Sequence, residues 1–161
     1  VWLVDGARDA IHALKYGGLP RIADDLAATM APLCPATNEP SALIPIPLAP
    51  KRARQRGYNQ AEVLAAALAR RWRTPVVLDV LIRRRETPTQ TALTPETRLA
   101  NVAGAFATRH DERLPSSALM LIDDVFTTGA TLAEAARALE QAGATKVYGV
   151  TFARAAIPDF T

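Results

Sequence analysis

Leu119-Met120-Leu121-Ile122-Asp123-Asp124-Val125-Phe126-Thr127-Thr128-Gly129-Ala130-Thr131 is the stretch whose reading decides the fold. Four apolar residues followed by two acids read as a buried strand that carries adjacent carboxylates to its end. The Thr- and Gly-containing turn opens straight into a helix over 131–142, which Gly143 closes. A helix N-terminus offers unpaired N–H groups and partial positive charge, which together hold a phosphate. Gly129 lets the backbone come close to such an anion, and Thr127, Thr128 and Thr131 bring hydroxyl donors. The turn has no lysine and no Walker spacing, so it is not the phosphate loop of an NTPase. Two carboxylates would repel a phosphate that they faced. They suit hydroxyl donors or a cation, and a sugar phosphate offers hydroxyls and phosphate in one ligand. An Asp-Asp pair ahead of a helix is by itself no more than a capped helix; the whole stretch carries the reading.

Outward from that stretch, strands and helices alternate. Residues 146–152 read as a strand after the 131–142 helix. Upstream, Ala42-Leu43-Ile44-Pro45-Ile46-Pro47 reads as a short buried strand and residues 76–82 as another, β-branched and apolar. Trp2, Ile11, Leu14 and Tyr16 fall near helical spacing ahead of Gly17 and Gly18, and Ile22, Leu26, Met30 and Leu33 mark a second helix. Residues 48–59 have a basic loop composition. Asn59 and Glu62 make a capping box for a helix that ends near Arg73. Residues 83–104 lack a clear period; a short helix over part of them would start at Thr94-Pro95. The alternation predicts an α/β fold, a mostly parallel central sheet flanked by helices, over residues 1–161 as one domain. Ligands in such sheets bind at the carboxyl ends of the strands, here the loops after Ile46, Ile82 and Ile122.

The 161 residues carry 19 Lys and Arg against 16 Asp and Glu, a net charge of +3. The distribution says more than the total. Residues 1–40 are net −2, 41–104 net +7 and 105–161 net −2. An anion, a nucleic acid or an acidic partner would meet the middle segment. With one cysteine, Cys34, the chain holds no internal disulfide framework and no Cys-rich zinc site, which fits a reducing cytosol. No apolar run reaches the length of a membrane span.

The 119–131 stretch resembles the phosphoribosyl-pyrophosphate (PRPP) signature of the type I phosphoribosyltransferases: apolar strand, two acids, two variable residues, then Thr-Thr-Gly-x-Thr. Further motifs resemble the ComF family, associated with bacterial competence and DNA uptake. They are Lys15-Tyr16-Gly17, Ile44-Pro45-Ile46-Pro47-Leu48-x-Pro50-Lys51-Arg52, Arg56-Gly57-Tyr58-Asn59-Gln60, Gln90-Thr91, Arg98, Asn101-Val102-x-Gly104-Ala105-Phe106 and Thr151-x-Ala153-Arg154. Together they run from about residue 10 to 154. The Cys-rich zinc ribbon that opens many ComF proteins is absent from this chain.

The resemblance implies Asp123 and Asp124 as catalytic acids at the ribose 2′- and 3′-hydroxyls. It implies Thr127, Thr128, Gly129, Ala130 and Thr131 around the 5′-phosphate, and Lys51 and Arg52 at the pyrophosphate. Residues 83–104 become a mobile loop whose Arg85, Arg98 and Asn101 reach the ligand on closure. Mg²⁺ is expected on PRPP oxygens and water, with no direct protein ligand named. The implied reaction is displacement of pyrophosphate from PRPP by an unidentified nucleophilic acceptor, in the cytoplasm. Single-stranded DNA, competence proteins and a second copy of the chain are further partners left open. The competing reading keeps the PRPP pocket without turnover, as a sensing or single-stranded-DNA-handling competence module.

Other residues read more plainly. His12 lies in a helix with no matching carboxylate or cysteine pattern and reads as a surface or packing residue. His110 sits in a polar turn, and Cys34 has no histidine partner. Arg70-Arg71-Trp72-Arg73 complements a helix C-terminus, with a DNA-contacting patch as the alternative.

Overall fold

A computed structural model describes residues 1–17, 21–35, 40–85, 102–109, 114 and 118–155. The helix, turn and motif expected at Thr94-Pro95, Gln90-Thr91, Arg98 and Asn101, and the turn around His110, lie outside these residues.

The centre is a parallel sheet of three strands, β1 (Ala42–Pro45), β4 (Leu119–Phe126) and β5 (Val147–Arg154), in the order β1-β4-β5. Ala42 pairs with Leu119 and Pro45 with Ile122; on the other side Leu119 pairs with Val147 and Phe126 with Arg154. Parallel pairing with an intervening helix is what a buried strand–helix–strand unit produces. A second, antiparallel pair joins β2 (Leu81–Arg83) to β3 (Phe106–Thr108). The first residues lie along β5: Trp2 bridges Arg154 in parallel, and Leu3 N–H donates to the Arg154 carbonyl at 2.7 Å.

Strand alternation divides the interior. Leu43, Met120 and Ile122 point to one face, where they pack with α1 (Asp5–Tyr16), α2 (Ile22–Met30) and α4 (Gln60–Trp72). Ala42, Ile44, Leu119 and Leu121 point to the other, against α5 (Ala130–Gln141) and the β2–β3 pair. Leu14, Leu64, Leu121 and Leu139 are among the fully buried side chains, each worth about 1.5–3 kcal/mol of burial.

Several expectations change. The first helix starts at Asp5, and its buried positions are Ile11 and Leu14, while Trp2 and Tyr16 are exposed. The second ends at Met30 and continues as one 3₁₀ turn, Ala31–Leu33, because Pro32 follows. The basic stretch 48–59 is not a loop: Pro50 at the first helical position and left-handed Gly57 after the last frame α3 (Pro50–Arg56). The strand expected over 76–82 is broken. Val76 bridges Leu43, then Asp79 takes a positive φ of 63° and turns the chain into β2. The extended segment thus serves two sheets in succession.

Candidate functional site

The site is created by a mismatch in strand length. Ile46 N–H donates to the Ile122 carbonyl at 2.9 Å, and the β1 register goes no further. β4 runs on beside β5 to Phe126. From Asp123 onward one edge of β4 is therefore open, and Pro47 and Leu48 leave to form the rim of a cleft of about 420 Å³.

Alternation sends the two acids to opposite faces. Asp124 follows Met120 and Ile122 toward α1; it is 4% exposed, and its Oδ2 lies 2.5 Å from Lys15 Nζ. Asp123 follows Leu119 and Leu121 and is half-buried; its Oδ1 accepts the Asp124 N–H at 2.9 Å. Burial, and then the neighbouring Asp124 charge, push the Asp123 carboxyl well above the ordinary carboxylate range; Lys15 opposes this more weakly. Both acids line the cleft.

The turn beyond them begins α5. Gly129 is its N-cap at φ 79°, and a Cβ there would lie 2.8 Å from the Phe126 ring, so only glycine fits. No acidic residue stands in the first turn of α5 to spend its positive end. Thr127, Gly129 and Thr131 line the cleft, whereas Thr128 and Ala130 line a second groove between α5 and β5; the Thr128 hydroxyl accepts the Ala130 N–H at 3.4 Å.

A basic wall lines the same cleft as the turn. Arg52 and Arg56, four residues apart on α3, share its half-buried side and line the cleft. Lys51, one position round the helix, is exposed and does not line it. Arg83, at the end of β2, joins the wall with its guanidinium 5.2 Å above the Phe106 ring. Burial and then Arg52 lower the pKa of Arg83, and Asp123 works against them. Arg85 is exposed and donates to the Ala103 carbonyl at 2.8 Å; it does not line the cleft as described.

Helix α1 forms the remaining wall through Arg8, His12, Lys15 and Tyr16. It is held there by the Lys15–Asp124 pair, by the Tyr58 hydroxyl donating to the Leu14 carbonyl, and by Arg56 5.1 Å over the Tyr16 ring. His12 is a surface residue, but its surface is the cleft wall, beside Tyr16 at 5.0 Å between ring centroids. Sequence reasoning missed Arg56, Arg83 and the α1 wall as parts of the site. Arg56 was legible as the i+4 partner of Arg52 once a helix started at Pro50; nothing local marked Arg83.

Residues 58–158 match the phosphoribosyl transferase domain family. Competence protein F of Haemophilus influenzae is 36% identical over 117 residues, covering 72% of this chain and 51% of that protein. The DNA utilization protein YhgH of Escherichia coli K12 is 31% identical over 143 residues, covering 85% and 62%. Competence protein ComFC of Bacillus subtilis is 31% identical over 143 residues, covering 86% and 55%. The chain thus spans about half to three-fifths of the length of these relatives. Among solved structures, adenine phosphoribosyltransferase of Leishmania tarentolae superposes with a TM-score of 0.50 at 20% identity, covering 82% of this chain and 57% of that one. That of Leishmania donovani gives 0.50 at 18%, covering 82% and 52%. These structures share the type I fold, a parallel sheet flanked by helices, with this chain. The matched domain and the named relatives agree with the motifs from which the cleft is built, and the chain belongs to the phosphoribosyl transferase domain family, in its ComF group.

Proposed function

We propose that this chain binds PRPP in the β4 cleft and displaces its pyrophosphate in favour of an acceptor nucleophile. The observation that carries the reading is that one cleft is lined by three kinds of group: the acid-free N-terminal turn of α5, the carboxylates of Asp123 and Asp124, and the guanidinium groups of Arg52, Arg56 and Arg83. PRPP has the matching groups, a 5′-phosphate, ribose hydroxyls and a pyrophosphate. In this reading the turn from Thr127 to Thr131 takes the 5′-phosphate, with Thr127, Gly129 and Thr131 in contact. Asp123 and Asp124 accept from the ribose hydroxyls. Arg52, with Arg56 and Arg83, takes the pyrophosphate by charge-assisted hydrogen bonds, in place of the Lys51–Arg52 pair that the sequence suggests. Arg85, Arg98 and Asn101 are left to a closing movement of their loop.

Mg²⁺ fits as a companion of the ligand. Among the described residues no three His, Cys, Asp or Glu side chains gather where they could hold a metal, and the ion favours phosphate oxygens and its own waters. When bound it supplies positive charge to the leaving pyrophosphate. The protein's part is orientation and electrostatics: donors fixed at both ends of the sugar phosphate hold the anomeric carbon between them while charge moves to the leaving group. The relatives are named for competence and DNA utilization; in this reading single-stranded DNA and competence proteins are the further partners to test.

Millimolar PRPP with Mg²⁺ is expected to raise the melting temperature of the wild-type chain; saturation to 100 times Kd stabilises by about 2.7 kcal/mol. The Asp123→Asn, Asp124→Asn double variant is expected to lose the shift. A wild-type chain with no shift overturns the ligand assignment. Pyrophosphate release across a panel of bases and amines then tests turnover. Binding without release from any member would favour the sensing module over the transferase.

A further inference from the structure

Lys15 and Asp124 form an ion pair in the lining of the cleft. The ammonium is 2.5 Å from Oδ2, the lysine side chain is 24% exposed and the aspartate side chain 6%. Oδ2 is out of reach of water and without a hydrogen bond, so the ammonium is its counter-charge. A carboxylate this deep is costly without such a partner. The neighbouring acid supplies no counter-charge: Asp123 adds like charge, although its carboxyl is hydrogen-bonded to the Asp124 side chain. The lysine is itself fixed, since Leu14 beside it is fully buried and its carbonyl accepts the Tyr58 hydroxyl. Both partners still line the cleft, so the pair lies against whatever the cleft holds.

We infer that Lys15 is a positioning residue for the reaction: its ammonium holds the Asp124 carboxylate by one oxygen and leaves the rest of its acceptor capacity to the sugar hydroxyls of the ligand. The inference rests on the PRPP reading above. It gives α1 a part in ligand binding that the strand–turn–helix stretch does not contain, and it excludes Lys15 as a direct ligand of the pyrophosphate.

Three probes separate those roles: PRPP, ribose 5-phosphate and inorganic pyrophosphate, each titrated calorimetrically with Mg²⁺ into wild type, Lys15→Met, Lys15→Arg and Tyr58→Phe. Lys15→Met is expected to lose at least tenfold in affinity for PRPP and for ribose 5-phosphate, and to bind pyrophosphate within twofold of wild type. Lys15→Arg, which keeps the charge, is expected to recover most of the loss. Tyr58→Phe loosens the other anchor of α1 and is expected to lower the melting temperature while leaving all three affinities within about threefold. Loss confined to PRPP and pyrophosphate would make Lys15 a pyrophosphate ligand and overturn the inference. Equal loss for all probes, matched by Tyr58→Phe, would reduce Lys15 to a helix anchor and overturn it too. Unchanged binding by Lys15→Met ends it outright. A wild-type chain that binds no PRPP refutes instead the reading beneath it. If Lys15→Met does not fold, Lys15→Gln, which removes the charge and keeps a polar donor, carries the same test: selective loss for the two sugar phosphates supports the inference and unchanged binding ends it.

Discussion

Asp123 shows what a single residue contributes and what it costs. Its carboxyl is raised well above 3.8, first by burial and then by Asp124. From 3.8 up to that raised value the folded chain binds more protons at this site than the unfolded chain. Stability contributed here is therefore complete below 3.8 and falls as pH rises through that window. Urea unfolding at a series of pH values should show wild type losing stability relative to Asp123→Asn as pH increases from 3.8, and then running parallel to it. A difference that stays constant with pH would remove the buried-acid account. The two acids and the turn glycine were readable in the sequence because their neighbours specify a strand end and a helix start. That the acids face opposite sides of the sheet follows from strand alternation over the same stretch. The identity of the counter-charge was not readable, because Lys15 and Asp124 meet only through the packing of α1 on the sheet.

Among the elements, α4 and α3 mark the two ends of legibility. Asn59 announces α4 in the sequence, and the structure gives it three bonds: Oδ1 accepts the Ala61 N–H at 3.1 Å, and Nδ2 donates to the Ile46 carbonyl at 2.9 Å and to Glu62 at 3.1 Å. The cap thus also ties α4 to the end of β1, where the cleft opens. Asn59→Ala is expected to cost about 2 kcal/mol in urea unfolding, the upper end for a lost cap, because the buried Ile46 carbonyl loses a donor as well. A cost under about 0.5 kcal/mol would mean that water replaces these bonds. Helix α3 escaped because Lys51-Arg52-Ala53-Arg54-Gln55-Arg56 has no apolar period, and its signals are confined to Pro50 and Gly57. The 76–82 strand failed for a different reason. Its composition is that of a strand throughout, and only the backbone at Asp79 divides it between two sheets.

For the whole molecule, the sheet separates two apolar clusters, and the same four residues of β4, Leu119 to Ile122, supply both. Leu64→Ala in the first cluster and Leu139→Ala in the second are each expected to cost about 2–5 kcal/mol. The double variant should equal their sum within about 0.5 kcal/mol, and urea unfolding should stay a single transition. Two separate transitions would show that the clusters melt independently. The division into layers was legible from periodicity, whereas the short β2–β3 pair was not, since three-residue strands carry too little pattern. The pairing of the first residues with β5 adds a matter of time. The Val1 nitrogen donates to the Phe152 carbonyl, 151 positions later, and Leu3, next to that pairing, lines the cleft. On a ribosome adding about 5–20 residues per second, the opening residues would wait roughly 8–30 s for the strand they join. The cleft is accordingly not complete until β5 has been made, and α1 waits through the synthesis of everything between for the carboxylate it is built to meet.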